Sequence, residues 1–182
     1  DELPEAAGKE AMQQRAVQLR TAVAAKVAPD VVAQLAHRLA ADVLKAWPFP
    51  VVPAVVPDLQ RGARLFESQC AACHGPRGKG DGALAAKLDP PPVDFAQRER
   101  ASERSPFALY QIISNGVEGT AMTNFGALPE ADRWALAFFA ATLPYSEADK
   151  AAGARLWQSG SPARQAIMGM SALTLTPEQA LA

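Results

Sequence analysis

One run of five residues, Cys70-Ala71-Ala72-Cys73-His74, constrains this chain more than any other. Two thiols two residues apart, with histidine next in line, form the attachment signature of a c-type haem. The thiols add across the two vinyl groups of the porphyrin, and the following imidazole then lies beneath the ring and ligates iron from one face. The sequence holds two cysteines, and both are in this run. A thioredoxin-like redox pair needs a βαβ setting, and no such pattern surrounds the run. A structural zinc site needs four ligands, and the only other histidine is His37. The expected cofactor is one haem c, attached covalently through Cys70 and Cys73, with His74 as an axial iron ligand.

At 182 residues the chain has room for one domain with substantial extensions, or two small domains. Its formal net charge of −1 gives no sign of a nucleic-acid or membrane partner. Alanine is frequent and β-branched runs are few, which favours helix. No stretch reaches the roughly 18 apolar residues needed to span a bilayer. The run Asp1-Glu2-Leu3-Pro4-Glu5 is acidic and does not read as a signal peptide. Thioether attachment takes place outside the bacterial cytoplasm, so the expected location is the periplasm, with the signal already removed.

Residues 5–28 carry apolar positions at Met12, Ala16, Leu19, Val23 and Val27, a weak helical face. Pro29 interrupts it, and Asp30 is placed to cap a second helix running to about Trp47. The two predict a helical hairpin laid on another surface. His37 lies one step off the apolar stripe and reads as solvent-facing. Residues 48–57 contain four prolines, which exclude helix and favour an extended strap laid against the haem domain. Asp58 caps the helix that leads into the haem run, and Gly62 within that helix predicts close approach of another helix. Gly75, Gly78, Gly80 and Gly82 predict a tight loop, without the Walker spacing of a phosphate site. Asp89 to Phe95 predicts an extended loop in which a proline carbonyl accepts from the far nitrogen of His74.

Residues 97–104 read as a solvated charged segment. Arg98, Glu99 and Glu103 approach an Arg-Glu-x-x-Glu iron-transport pattern but with one residue too many, so they are read as surface. Ser105-Pro106 starts a helix that Gly116 ends, and Pro129 opens another bearing Trp134 and Phe138. Pro144 stops it. The tail holds one more helix, Ser146 to Gln158, and a less regular end.

Candidates for the second axial position are Met122, Met12, Met168, Met170 and His37, or an open site. Met122 lies on a short loop between two predicted helices, downstream of the haem run. A thioether there is a soft ligand that stabilises ferrous haem, and Met122 is the expected partner of His74.

From Gly62 and Phe66 through Cys70-Ala71-Ala72-Cys73-His74-Gly75 to Gly119-Thr120-Ala121-Met122 and the helix with Trp134 and Phe138, residues 58–143 resemble a class I cytochrome c. The resemblance implies an all-α fold round one covalent haem. Its first and last helices would cross at Gly62 and Phe66 against Trp134 and Phe138, with Met122 as distal ligand. The expected organisation is a helical extension over 1–47, a strap over 48–57, a cytochrome domain over 58–145 and a C-terminal extension over 146–182. Asp89 to Phe95, Ser105 to Tyr110, Gly119 to Met122 and Asp132 to Leu136 also resemble the cytochrome region of bacterial Ftr-type iron permeases. Thr123-Asn124 and Pro129 depart from that pattern. This second resemblance implies the soluble part of a longer, membrane-bound iron transporter.

The function expected is one-electron transfer to a redox partner protein, with an iron permease domain as a second partner and electrons drawn from ferrous iron. A stand-alone respiratory carrier, a haem enzyme or sensor with a labile distal ligand, and a binding module are the alternatives.

Overall fold

The structure is a computed structural model that describes residues 8–46, 52–160 and 173–181. Trp47, the first part of the proline-rich strap, Met168 and Met170 lie outside them. The described residues are helical with no strand, and they divide at the strap into two compact units. No helix among them is long and apolar enough to cross a membrane.

The first unit is a hairpin of α1 (Lys9–Ala24) and α2 (Pro29–Ala46), joined across their polar sides by the Arg15–Asp42 ion pair. Asp30 does not cap α2. Pro29 occupies the first helical position, where its missing N–H costs nothing, and Asp30 sits in the first turn, where its charge favours the positive end of the helix dipole. His37 is exposed.

The second unit is built on α3 (Leu59–Gln69), α4 (Ala71–His74), a 3₁₀ turn (Ala85–Lys87), α5 (Arg98–Ser102), α6 (Pro106–Asn115), α7 (Glu130–Thr142), α8 (Glu147–Gln158) and α9 (Pro177–Leu181). The described end of the strap is not helical, but Val55 and Val56 are 59% and 92% exposed, so this part does not lie flat on the domain as expected. Asp58 caps α3 by accepting from the Gln60 and Arg61 amides at 2.9 and 3.0 Å. Ser105 caps α6 by accepting from the Ala108 amide at 3.1 Å, with Pro106 at its first position.

The core is the crossing of α3 and α7. A Cβ placed on Gly62 would overlap the Ala135 carbonyl and stand 2.8 Å from Phe139 Cβ. Only glycine lets the two backbones approach this closely. One turn on, Phe66 is 3% exposed and packs on Phe139, ring centroids 5.4 Å apart. The expected crossing partners were Trp134 and Phe138. They lie a single position earlier, which on a helix is a rotation of about 100°, and that turns Trp134 towards α6. There it stacks on Tyr110 at 4.2 Å and is 2% exposed.

Charge pairs hold the same elements. Arg61 of α3 grips Asp132 of α7 with two nitrogens, Nη2 donating to Oδ2 at 2.6 Å. Asp132 is buried while Arg61 is half-exposed. Arg133 donates to the Ser114 hydroxyl at 2.6 Å and to the Leu128 carbonyl at 3.1 Å, and its guanidinium lies over the Tyr110 ring.

Two outcomes follow from this core. Gly62→Ala places a methyl inside the α3–α7 crossing, and chemical denaturation of the haem-loaded protein should read a loss of about 1–3 kcal/mol. The hydrogen bond from Arg61 holds the Asp132 carboxyl below its ordinary value, with the guanidinium charge adding to it against the cost of burial. A carboxyl lowered on folding stabilises the fold above its unfolded pKa, and that contribution is lost as pH falls through the folded value. Stability measured against pH on the acid side of the carboxylate range should therefore fall more gently in Asp132→Asn, from a lower plateau at neutral pH.

Candidate functional site

The haem run is presented by a break in the helix. Cys70 ends α3, its amide still bonded to the Phe66 carbonyl at 2.9 Å, and it also precedes the single turn of α4. The glycine-rich loop then folds back over that turn. Amides of Gly80, Gly82 and Leu84 donate to the carbonyls of His74, Cys73 and Ala72 at 2.8, 3.1 and 2.9 Å. These bonds satisfy carbonyls that a one-turn helix would otherwise leave without partners. Gly80 has a positive φ of 72° and a Cβ there would meet the Pro92 carbonyl at 2.5 Å, so the proline loop packs on bare backbone.

Cys70, Cys73 and His74 open onto a cavity of about 800 Å³. Its walls are Phe66 of α3, the proline loop from Pro90 to Phe95, Leu109, Ile112 and Ile113 of α6, and Leu136 and Ala140 of α7. The opposing loop contributes Val117 and Thr120 to Thr123, including Met122. The size is that of a cofactor site, and the lining is mostly apolar. All four expected site residues, Cys70, Cys73, His74 and Met122, border this single space. Met12 and His37 belong to the other compact unit.

The His74 ring is held from two sides. Phe95 lies 4.8 Å from it, centroid to centroid, and Phe66 lies 6.5 Å away. Its Nδ1 is 3.4 Å from the Val93 carbonyl. A carbonyl only accepts, so Nδ1 carries the proton and the Nε2 lone pair is left free. The acceptor is Val93, not a proline carbonyl as expected. Burial pushes the His74 pKa down, against the smaller opposing effect of the Val93 bond, which favours the neutral ring.

Burial, with a smaller contribution from Cys73, raises the Cys70 thiol to about 11. Among the described residues no group of three or more His, Cys, Asp or Glu side chains is placed to hold a metal ion.

The Met122 loop is closed on itself. The Val117 amide donates to the Met122 carbonyl at 2.9 Å. The Thr120 hydroxyl accepts from the Met122 amide at 3.0 Å and donates to the Val117 carbonyl at 2.9 Å. Met122 is thus carried by a small hydrogen-bonded ring between α6 and α7, half-buried against the cavity.

Other wall residues were not foreseen. Within residues 97–104, expected as solvated surface, Arg98 and Glu103 are exposed, but residues 98–102 form α5, and Arg100, Ala101 and Arg104 line the cavity. So do Tyr145 and Pro177, from the C-terminal part of the chain. The alternation of charge with Ala101 and Ser102 at helical spacing was the signal available for α5.

Cavity and donor set fit a covalently held haem: two adjacent thiols, a neutral imidazole with a free lone pair, a thioether, and an apolar space of matching scale. Residues 57–139 match the family model described as Cytochrome C oxidase, cbb3-type, subunit III. No curated protein matches the chain. A solved structure, the Kuenenia stuttgartiensis reducing HAO-like protein complex, is similar at 26% identity and a TM-score of 0.45, over 53% of this chain and 50% of that one. The chain therefore spans half the length of the chain it matches there. The family match covers a little under half of the chain, and the helical, strand-free architecture of the described residues is that of a class I cytochrome c fold.

Proposed function

We propose that this chain is a monohaem electron carrier of the periplasm, with Cys70 and Cys73 as thioether anchors and His74 and Met122 as axial ligands. The observation that carries the reading is that these four side chains border one apolar cavity. Bound there, the group supplies a one-electron ferric–ferrous couple. The protein's residues set its conditions. Val93 orients the His74 ring, and Phe66 and Phe95 restrict its rotation. A thioether from Met122 and a low-dielectric wall both favour the ferrous state and raise the potential. With both axial positions held by the chain, no position is left for a substrate, which sets the carrier apart from a peroxidase or gas sensor.

The finer setting is iron uptake: the carrier accepts electrons released when ferrous iron is oxidised by an iron permease domain and passes them to a redox partner protein. It rests on the sequence resemblance to Ftr-type permeases, in the wording around Ser105 to Tyr110 and Asp132 to Leu136.

Met122→Ala should abolish the weak near-infrared charge-transfer band of thioether-ligated ferric haem and lower the potential, with haem content unchanged. A high-spin ferric spectrum in the unaltered protein would instead favour the open-site alternative. Cys70→Ser should leave haem attached through a single thioether, read as a shifted pyridine haemochrome band. For the iron setting, ferrous iron added to the oxidised protein co-expressed with its permease should reduce the haem faster than ferrous iron added to the carrier alone.

A further inference from the structure

The C-terminal part of the chain lies beyond the matched cytochrome domain, yet it reaches the cavity. Pro177 is on the cavity wall, and α9 packs on α5, whose Arg100 and Ala101 are on the same wall, with Arg104 just beyond the end of α5. The contact is built with satisfied polar groups. Thr176 is 6% exposed, and its hydroxyl accepts from the Gln179 amide at 3.2 Å while the Gln179 side chain accepts from the Thr176 amide at 2.9 Å. This reciprocal cap fixes the first turn of α9 with the Pro177 ring against the cavity. On the other side of α5, Arg98 pairs with Asp149 of α8 at 3.0 Å and lies over the Tyr145 ring at 5.3 Å. Both ends of the C-terminal part thus brace the same five-residue helix, too short to hold its own conformation.

What α5 brings to an apolar cavity is positive charge. Besides the two cysteines and His74, the titratable side chains on the wall are Asp94, Arg100, Arg104 and Tyr145. Asp94 is engaged by the Ala96 amide at 2.7 Å. Arg104 donates to the Glu103 carbonyl at 3.3 Å and makes a loose, exposed pair with the Glu103 carboxylate 3.8 Å away. A porphyrin attached through its vinyl groups carries its two carboxylates on the opposite edge. Guanidinium groups are the best-matched side chains for such carboxylates.

Resting on the haem reading above, we infer that residues 173–181 are a wall of the cofactor cavity, docked on α5 so that Arg100 and Arg104 are held against the carboxylate edge of the porphyrin. The C-terminal part is then a determinant of the potential. Two fixed cations favour the ferrous state and keep the carboxylates ionised across neutral pH.

The test compares haem-loaded full-length protein, a chain ending at residue 172, Thr176→Ala, and the Arg100→Gln/Arg104→Gln double variant. Each is checked first for haem content by pyridine haemochrome and then titrated for midpoint potential from acid to neutral pH. The double variant should have a lower potential that falls further as pH rises, because carboxylate ionisation moves into the measured range. The shortened chain should shift the same way to a smaller extent and be oxidised several-fold faster by ferricyanide, with Thr176→Ala between it and the full-length protein. Potential–pH curves and ferricyanide rates that superimpose on those of the full-length protein, at equal haem content, overturn the inference. So does a shift in the double variant with none in the shortened chain. A full-length protein without covalent haem overturns the parent reading instead.

Discussion

The cavity depends on how closely α3 can approach α7. Phe66, Cys70, Cys73 and His74 are all carried on α3 or the turn that continues it, and α7 supplies Leu136 and Ala140 to the cavity. With any side chain at Gly62 the helices would have to separate, since the obstacle is the Ala135 backbone and not a flexible side chain. Interiors at crystal-like density do not absorb such a shift locally. The Arg61–Asp132 pair lies at the same crossing and ties the two helices together in register.

On that frame, the site is assembled from loops whose polar groups are used up internally. The glycine loop spends its amides on the carbonyls of α4, and the Met122 loop closes through Thr120 and Val117. Both therefore present side chains to the cavity from loops that are internally hydrogen-bonded. The result is a space in which a neutral imidazole and a thioether are the natural iron donors and a thiolate is disfavoured. Arg100 and Arg104 bring positive charge to one wall of this apolar setting.

Much of this was legible in the chain. Thiol spacing, the caps Asp58 and Ser105, the stops at Gly116 and Pro144, and the demand for a partner at Gly62 are all statements about neighbours a few residues apart. Less legible was anything that depends on rotation or return. Trp134 and Phe138 carry the apolar bulk of α7, but the crossing uses Ala135 and Phe139, because small residues are what a close approach requires. The acceptor for His74 is Val93 and not a proline because the loop's path across Gly80 decides which carbonyl faces the ring. Residues 97–104 do expose most of their charged side chains, and what their pattern could not show is that Arg100 and Arg104 also border the cavity.

The amino-acid sequence by itself determined the attachment chemistry, the helical class and the candidate ligands Cys70, Cys73, His74 and Met122. Those follow from covalent spacing, local capping and the softness of a thioether, none of which needs the rest of the chain. Only the tertiary structure decided that these four side chains share one cavity, that Phe139 meets Phe66, and that Arg100, Arg104 and Pro177 complete the wall. Such contacts join residues tens of positions apart, and their geometry is set by helix rotation and loop path, quantities that no local pattern encodes.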